Sequence, residues 1–271
     1  MCDEDNPKRH KGLKDDGMLF LVGLGLSEKD MPIGSMDILM DCELYMDRFT
    51  SRISQDYVSY ISERTGRRIT ELTRQDMEEN SSEIVGRASS RDIAILVGGD
   101  PLIATTHKIL YIEARRLGVP ARALHASSAI SAAMGESGLD FYRFGSICTI
   151  PRWSGKYKPV SFYEKIAANL ERREHSMLLL DYDNGGEATI PIKDAISALE
   201  AAEAHYKKGA VTPRTKLIIL HEIAQKGSLV DAVSASEAKH KDYGGMNMMV
   251  VPAELTAIEA EAVEAITGKK W

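Results

Sequence analysis

The chain has 271 residues, 44% of them hydrophobic and 27% charged, and carries a formal net charge of -6. This composition supports a packed core in one large or two modest domains and excludes a largely disordered chain. The acidic balance supplies no global basic field, so no direct nucleic-acid partner is expected.

Residues 1–17 mix charges of both signs, with a basic stretch from Lys8 to Lys14, and read as a disordered tail. Residues 18–22, Met-Leu-Phe-Leu-Val, read as a buried strand ended by Gly23. A helix is expected over 54–64. Residues 93–97, Ile-Ala-Ile-Leu-Val, form the next strand, ended by Gly98 and Gly99. The spacing of Ile103, His107, Leu110, Tyr111, Ala114 and Leu117 predicts a helix over 103–117, stopped by Gly118. Further helices are expected over 128–136, 160–172, 192–206 and 253–266. Further strands are expected over 176–180, 217–220 and 248–251. Continuous apolar runs suit strands covered on both faces, and their alternation with helices predicts an α/β protein. The small-residue run Ala126-Ser127-Ser128-Ala129 places a boundary near 125. That gives an N-terminal α/β domain over 18–125 and a C-terminal α/β domain over 126–271. A second break, from Gly145 to Pro159, is rich in Pro, Gly and aromatics.

No apolar run approaches the roughly 20 residues of a membrane span, and no signal-peptide region precedes the first strand. The three cysteines, Cys2, Cys42 and Cys148, are far apart and odd in number. They point to a reduced, cytoplasmic protein with no thiolate metal site.

Four segments carry candidate chemistry. Gly23-Leu24-Gly25-Leu26 follows the first strand, where glycines permit a tight turn and close approach of a ligand. A dinucleotide fingerprint would need glycine at position 28, which is Glu28, although Asp47 stands where a ribose-binding acid would be. A plain strand-to-loop turn stays open. Gly98-Gly99-Asp100-Pro101-Leu102 follows another strand. Pro101 fixes its own φ and disfavours helical geometry at Asp100. Asp100 is then either a ligand acceptor at a strand end or the cap of the next helix. His107 falls on an apolar helix face, as a core histidine or a base. His125-Ala126-Ser127-Ser128-Ala129 opens a helix, either to anchor a carboxylate or simply to cap it. No H-E-x-x-H, Walker lysine loop or G-x-S-x-G elbow is present, and Asp181-Tyr182-Asp183 reads as a polar strand end rather than a cation site.

Together these residues resemble the tetrapyrrole-methylase class, and within it the diphthine-synthase family, from about residue 18 to the C-terminus. The resemblance rests on Gly23-Leu-Gly-Leu26 followed by Asp30, the block Gly-Asp-Pro-Leu-Ile-Ala-Thr-Thr-His at 99–107, and His125-Ala126 with Ser128. Gly138-Leu139, Tyr142-Arg-Phe-Gly145 and Leu178-Leu-Leu-Asp181 extend it. It implies a homodimer of two-domain α/β subunits with S-adenosylmethionine in the inter-domain cleft. The implied partner is translation elongation factor 2, whose modified histidine is methylated on its amino group to give diphthine. Carried over by position, the cofactor contacts are Leu26, Asp100, Ile103, Ser128, Ala129, Leu180, His221 or Ala224, and Asn247. Asn247 stands where the family often has His, and Gly98 where it usually has Pro.

Methyl transfer from a sulfonium is an in-line displacement that needs alignment and a water-poor site, here implied to be lined by Leu26, Ile103 and Leu180. No metal is required. His107 is the one motif histidine that could take a proton, with solvent as the other acceptor. A corrin-ring methyltransferase, a ribosomal-RNA methyltransferase of the same class and a non-catalytic nucleotide-binding module are the rival readings.

Overall fold

The computed structural model describes residues 17–28, 30–47, 52–182 and 188–271. The expected tail lies outside the described residues, apart from Gly17. The chain divides into two compact units, Met1–Ala126 and Ser127–Trp271.

The first unit runs β1 (Leu19–Gly23), α1 (Ile33–Leu39), β2 (Glu43–Asp47), α2 (Gln55–Thr65), β3 (Ile69–Leu72), α3 (Arg74–Glu78), α4 (Ser81–Arg87), β4 (Ile93–Val97), α5 (Lys108–Leu117) and β5 (Ala121–Leu124). Its five strands are parallel, in the order β3-β2-β4-β1-β5. Alternate residues of the central strands enter two cores. Leu19, Leu21, Ile93 and Ile95 pack with Val85 of α4 and with Leu110 and Ala114 of α5. Phe20, Val22, Leu44 and Leu96 pack with Leu39 of α1 and with Tyr57 and Ile61 of α2. Burial on both faces is why β1 and β4 read as unbroken apolar runs. The connections leaving β1 and β4 run in opposite directions along the sheet. The carboxyl ends of this pair are therefore the switch point at which open α/β sheets bind ligands.

The second unit runs α6 (Ala129–Glu136), β6 (Cys148–Ile150), α7 (Phe162–Glu171), β7 (Ser176–Leu180), α8 (Ile192–Tyr206), β8 (Lys216–His221), β9 (Leu229–Ser234), α9 (Ala235–His240), β10 (Asn247–Val251) and α10 (Ala257–Thr267). Its sheet has the order β6-β7-β10-β8-β9. Only β6 and β7 pair in parallel; β10 is antiparallel to both β7 and β8, and β9 to β8. Residues of α7, α8 and α9 cover one face. Residues of α6 and α10 cover the other.

Five strands, β2, β3, β5, β6 and β9, carry no long apolar run and were not expected. β9 alternates between inward and outward residues, and β6 has three residues. Two helices start later than their periodicity suggests. Thr256 caps α10 with a reciprocal capping box to Glu259, so the helix begins at Ala257. The delay of α5 from 103 to Lys108 belongs to the candidate site. Cys42 and Cys148 are buried, and burial pushes their thiols up to about 12 and about 11, which leaves them inert. Among the described residues, no helix is long and apolar enough to cross a membrane.

A buried polar network pins α10 within the second unit. The Ala253 N–H donates to His175 Nδ1 at 3.0 Å, so His175 Nε2 carries the proton and donates to Glu259 Oε1 at 2.9 Å. Glu259 also accepts from the Thr256 and Asp140 N–H groups and pairs with Arg143. Burial alone would raise the Glu259 carboxyl, but these donors outweigh it and hold the group at about 2. Burial also keeps His175 below the usual histidine range. Both groups bind fewer protons folded than unfolded, so each contributes stability that is lost as pH falls. Chemical denaturation should show stability declining from about pH 6.5 downward, and more steeply between about 4.5 and 2. Glu259→Gln should lose about 2–3 kcal/mol at neutral pH and flatten the lower part of that decline.

Candidate functional site

The site in the first unit begins with two glycine turns locked together. A Cβ on Gly23 would lie 2.7 Å from the Gly99 carbonyl oxygen and 2.9 Å from Pro101 Cδ. Gly25 has φ 72°, and a Cβ there would lie 2.6 Å from Asp30 Cβ. Both contacts are closer than any side chain tolerates, so glycine is required. The Gly25 N–H donates to Gly99 O at 3.2 Å and the Gly99 N–H donates back to Gly25 O at 2.8 Å. Asp30 closes the first turn by accepting the Leu26 N–H at 2.9 Å.

This clamp sets Asp100 beyond the end of β4. Asp100 is 7% exposed. Its Oδ1 accepts the Leu102 N–H at 2.9 Å, and its Oδ2 lies 2.8 Å from Nδ1 of the exposed His125. The bond to Leu102 closes a local turn instead of capping an α-helix, because α5 starts only at Lys108. Residues 101–107 form an irregular loop in which the Thr105 hydroxyl donates to Pro101 O at 2.9 Å. Ala104 sits in the left-handed region at φ 55°, a strain of about 1–3 kcal/mol that breaks the helical pattern and marks functional loops. The same loop holds Ile103 48% exposed.

His107 lies at the start of α5 rather than on its face. It is fully buried, with Nε2 2.9 Å from the equally buried Asp47 Oδ2 at the end of β2. The core alternative for His107 is the one that this burial favours. Asp47 is corrected in role: enclosed beside His107, it offers no carboxylate to a ribose. His125 is the contact that local sequence could not show, since 25 residues separate it from Asp100.

In the second unit, Leu180 ends β7, His221 ends β8, and Asn247 begins β10. Antiparallel pairing brings the start of β10 beside those two ends, with Asn247 opposite His221 and Met248 opposite Leu179. Asn247 is buried, and its Oδ1 lies 3.1 Å from His221 Nδ1 while its Nδ2 donates to the Gly244 carbonyl. Glu222 and Ala224 follow β8 with φ of 45° and 63°, a second strained segment among the candidate positions. Ser128 caps α6, accepting the Ile130 N–H at 3.3 Å, and Ala129 is the first helical residue. Asp181 Oδ2 accepts the Arg152 N–H at 3.1 Å, and Asp183 lies outside the described residues. Among the described residues, no group of three metal-ligating side chains occurs.

The sequence profile of the Tetrapyrrole (Corrin/Porphyrin) Methylases matches residues 18–218. The chain belongs to the tetrapyrrole methylase family. Among its relatives in that family is the diphthine synthase of Methanothermobacter thermautotrophicus, 37% identical over 254 residues, which are 93% of this chain and 96% of that protein. The diphthine synthase of Methanosphaera stadtmanae is 32% identical over 91% of this chain and 94% of that protein. A crystal structure of a diphthine synthase aligns with a TM-score of 0.82 at 30% identity, covering 93% of this chain and 96% of the other. The fold of a tetrapyrrole methylase, two α/β units with separate sheets, is thus present here. In this tetrapyrrole methylase, Gly25→Ala should force the Leu26–Asp30 turn away from the Gly99 turn. The expected loss is about 1–3 kcal/mol of stability, read as a lowered midpoint in thermal unfolding.

Proposed function

We propose that this protein transfers methyl groups from S-adenosylmethionine to the amino group of the modified histidine of translation elongation factor 2, forming diphthine in diphthamide biosynthesis. The end-to-end likeness to diphthine synthases, 37% identical over 93% of this chain, carries the choice of reaction. The geometry supports where the donor binds. A nearly buried carboxylate, Asp100, stands at the switch point beside an outward-held apolar side chain, Ile103. That pairing fits a molecule with hydroxyl or ammonium donors next to an apolar part.

When bound, S-adenosylmethionine supplies an electrophilic methyl on a sulfonium. Asp100 would accept hydrogen bonds from the cofactor's polar donors, with His125 holding the carboxylate in place. The apolar contacts that the family resemblance assigns to the donor are Leu26 and Ile103 in the first unit and Leu180 in the second. In the second unit the resemblance assigns the remaining contacts to Ser128, Ala129, His221, Ala224 and Asn247. For Asn247 the side-chain bonds to His221 and Gly244 favour a contact through its backbone or through His221. Solvent takes the proton that the accepting amine gives up, since His107 lies buried against Asp47. The protein acts as a cytoplasmic homodimer and binds no nucleic acid directly; sedimentation at micromolar concentration checks the dimer.

Incubation with labelled S-adenosylmethionine and elongation factor 2 bearing the unmethylated group should label the protein. Label in a corrinoid instead selects the corrin-ring reading. Asp100→Ala should weaken S-adenosylmethionine binding at least about ten-fold in calorimetry, about 1.4 kcal/mol, with an unchanged circular dichroism spectrum. Equal affinity in the folded variant removes Asp100 from the cofactor site.

A further inference from the structure

The segment from Gly145 to Pro159 has no role in the site above, yet it leaves the sheet edge that carries Leu180. β6 ends at Ile150, which is opposite Leu180 in the parallel register, and the Asp181 N–H donates to Ile150 O at 3.1 Å. The loop that follows is basic. Between Asp140 and Glu164 the chain has Arg143, Arg152, Lys156 and Lys158 and no acidic residue, within a protein of net charge -6. Arg143 is occupied by Glu259. Arg152, which also has a partner of its own, Lys156 and Lys158 all lie in the seven residues 152–158.

The loop is braced by several hydrogen bonds. Its start is tied down by the Arg152 N–H, which donates to Asp181 Oδ2 at 3.1 Å. Ser154 and Tyr157 exchange backbone hydrogen bonds of 3.1 and 2.8 Å around Gly155, whose φ of 52° suits the first position of a two-residue hairpin turn. Trp153 packs against the core, and its indole N–H donates to Pro159 O at 3.2 Å, closing the loop at its base. Lys158 Nζ lies 5.4 Å from the centre of the Trp153 ring. What this scaffold presents outward is Lys156, Tyr157 and Lys158, the tyrosine 63% exposed.

Trp153 anchors the hairpin, but its exposed tip projects a tyrosine between two lysines that the core does not cover. Preorganisation lowers the entropy lost on association, tyrosine is enriched at protein interfaces, and complementary charge raises the encounter rate. We propose that residues 152–158 are the docking element for the protein substrate, and that they engage an anionic surface of the elongation factor beside its modified histidine. The proposal rests on the methyltransferase reading above and names the part of that site which grips the macromolecule.

The test compares the full-length protein with Lys156→Glu/Lys158→Glu and with Tyr157→Ala, using elongation factor 2 that bears the unmethylated group. The charge-reversed variant should raise KM for the elongation factor at least ten-fold and Tyr157→Ala at least three-fold. In both, kcat and the calorimetric Kd for S-adenosylmethionine should stay within two-fold. Added salt should raise the wild-type KM and leave that of the charge-reversed variant nearly unchanged. Lys156→Ala, which removes one exposed side chain, provides the readout if charge reversal impairs folding, with an expected three-fold rise. Unchanged KM in folded variants overturns the docking proposal and leaves the reaction standing. So does unchanged KM with lost retention on heparin, which would assign the loop to nucleic acid. Absence of transfer by the wild type overturns both.

Discussion

The two hydrogen bonds between Gly25 and Gly99 bring the turns after β1 and β4 into backbone contact, and much of the first unit follows from that closeness. Neither Gly23 nor Gly25 has room for a Cβ, so the small residues there are a consequence of packing one turn on the other. With Gly99 fixed, Pro101 and the Leu102 N–H set the backbone and carboxylate of Asp100. The chain then needs a left-handed residue, Ala104, before it can enter α5, so Ile103 is turned outward instead of into the core. The placement of Asp100 and Ile103 is thus set by a steric constraint between the turns after two strands that are adjacent in space and far apart in sequence.

The second unit reaches a comparable convergence by another route. Its sheet is mixed, and because β10 runs against β7 and β8, the start of one strand meets the ends of two others. Leu180, His221 and Asn247 share an edge for that reason. The parallel partner β6 adds its basic hairpin to the same edge. The His175–Glu259 network stabilises α10 in the same unit by giving a buried carboxylate five donors, which is the condition under which a buried charge can remain ionised.

Methyl transfer from a sulfonium makes modest demands on side-chain chemistry. It needs alignment and exclusion of water, and no metal or covalent adduct with the protein. This suits a candidate site made of turns, apolar side chains and one carboxylate, in which His107 is buried in the core and His125 meets Asp100. For a donor this reactive, selectivity has to come from recognition of the acceptor. In the second unit, the basic loop over 152–158 is the element we propose for that recognition.

By itself, the sequence determined the α/β class, the central strands β1, β4, β7, β8 and β10, the glycine turns and the family. These features are local or nearly so: strands buried on both faces must be apolar throughout, and a turn without space for a Cβ must be glycine. Short or alternating strands such as β6 and β9 left no such mark, and the 3.6-residue periodicity of 103–117 concealed a loop because Ala104 adopts a conformation that periodicity does not encode. Tertiary structure alone decided that His125 meets Asp100, that Asp47 faces His107 in the core, and that Asn247 pairs with His221. Each of those pairs joins residues 25 or more positions apart. Their proximity comes from strand order and register, which depend on how whole elements pack and not on the residues that finally meet.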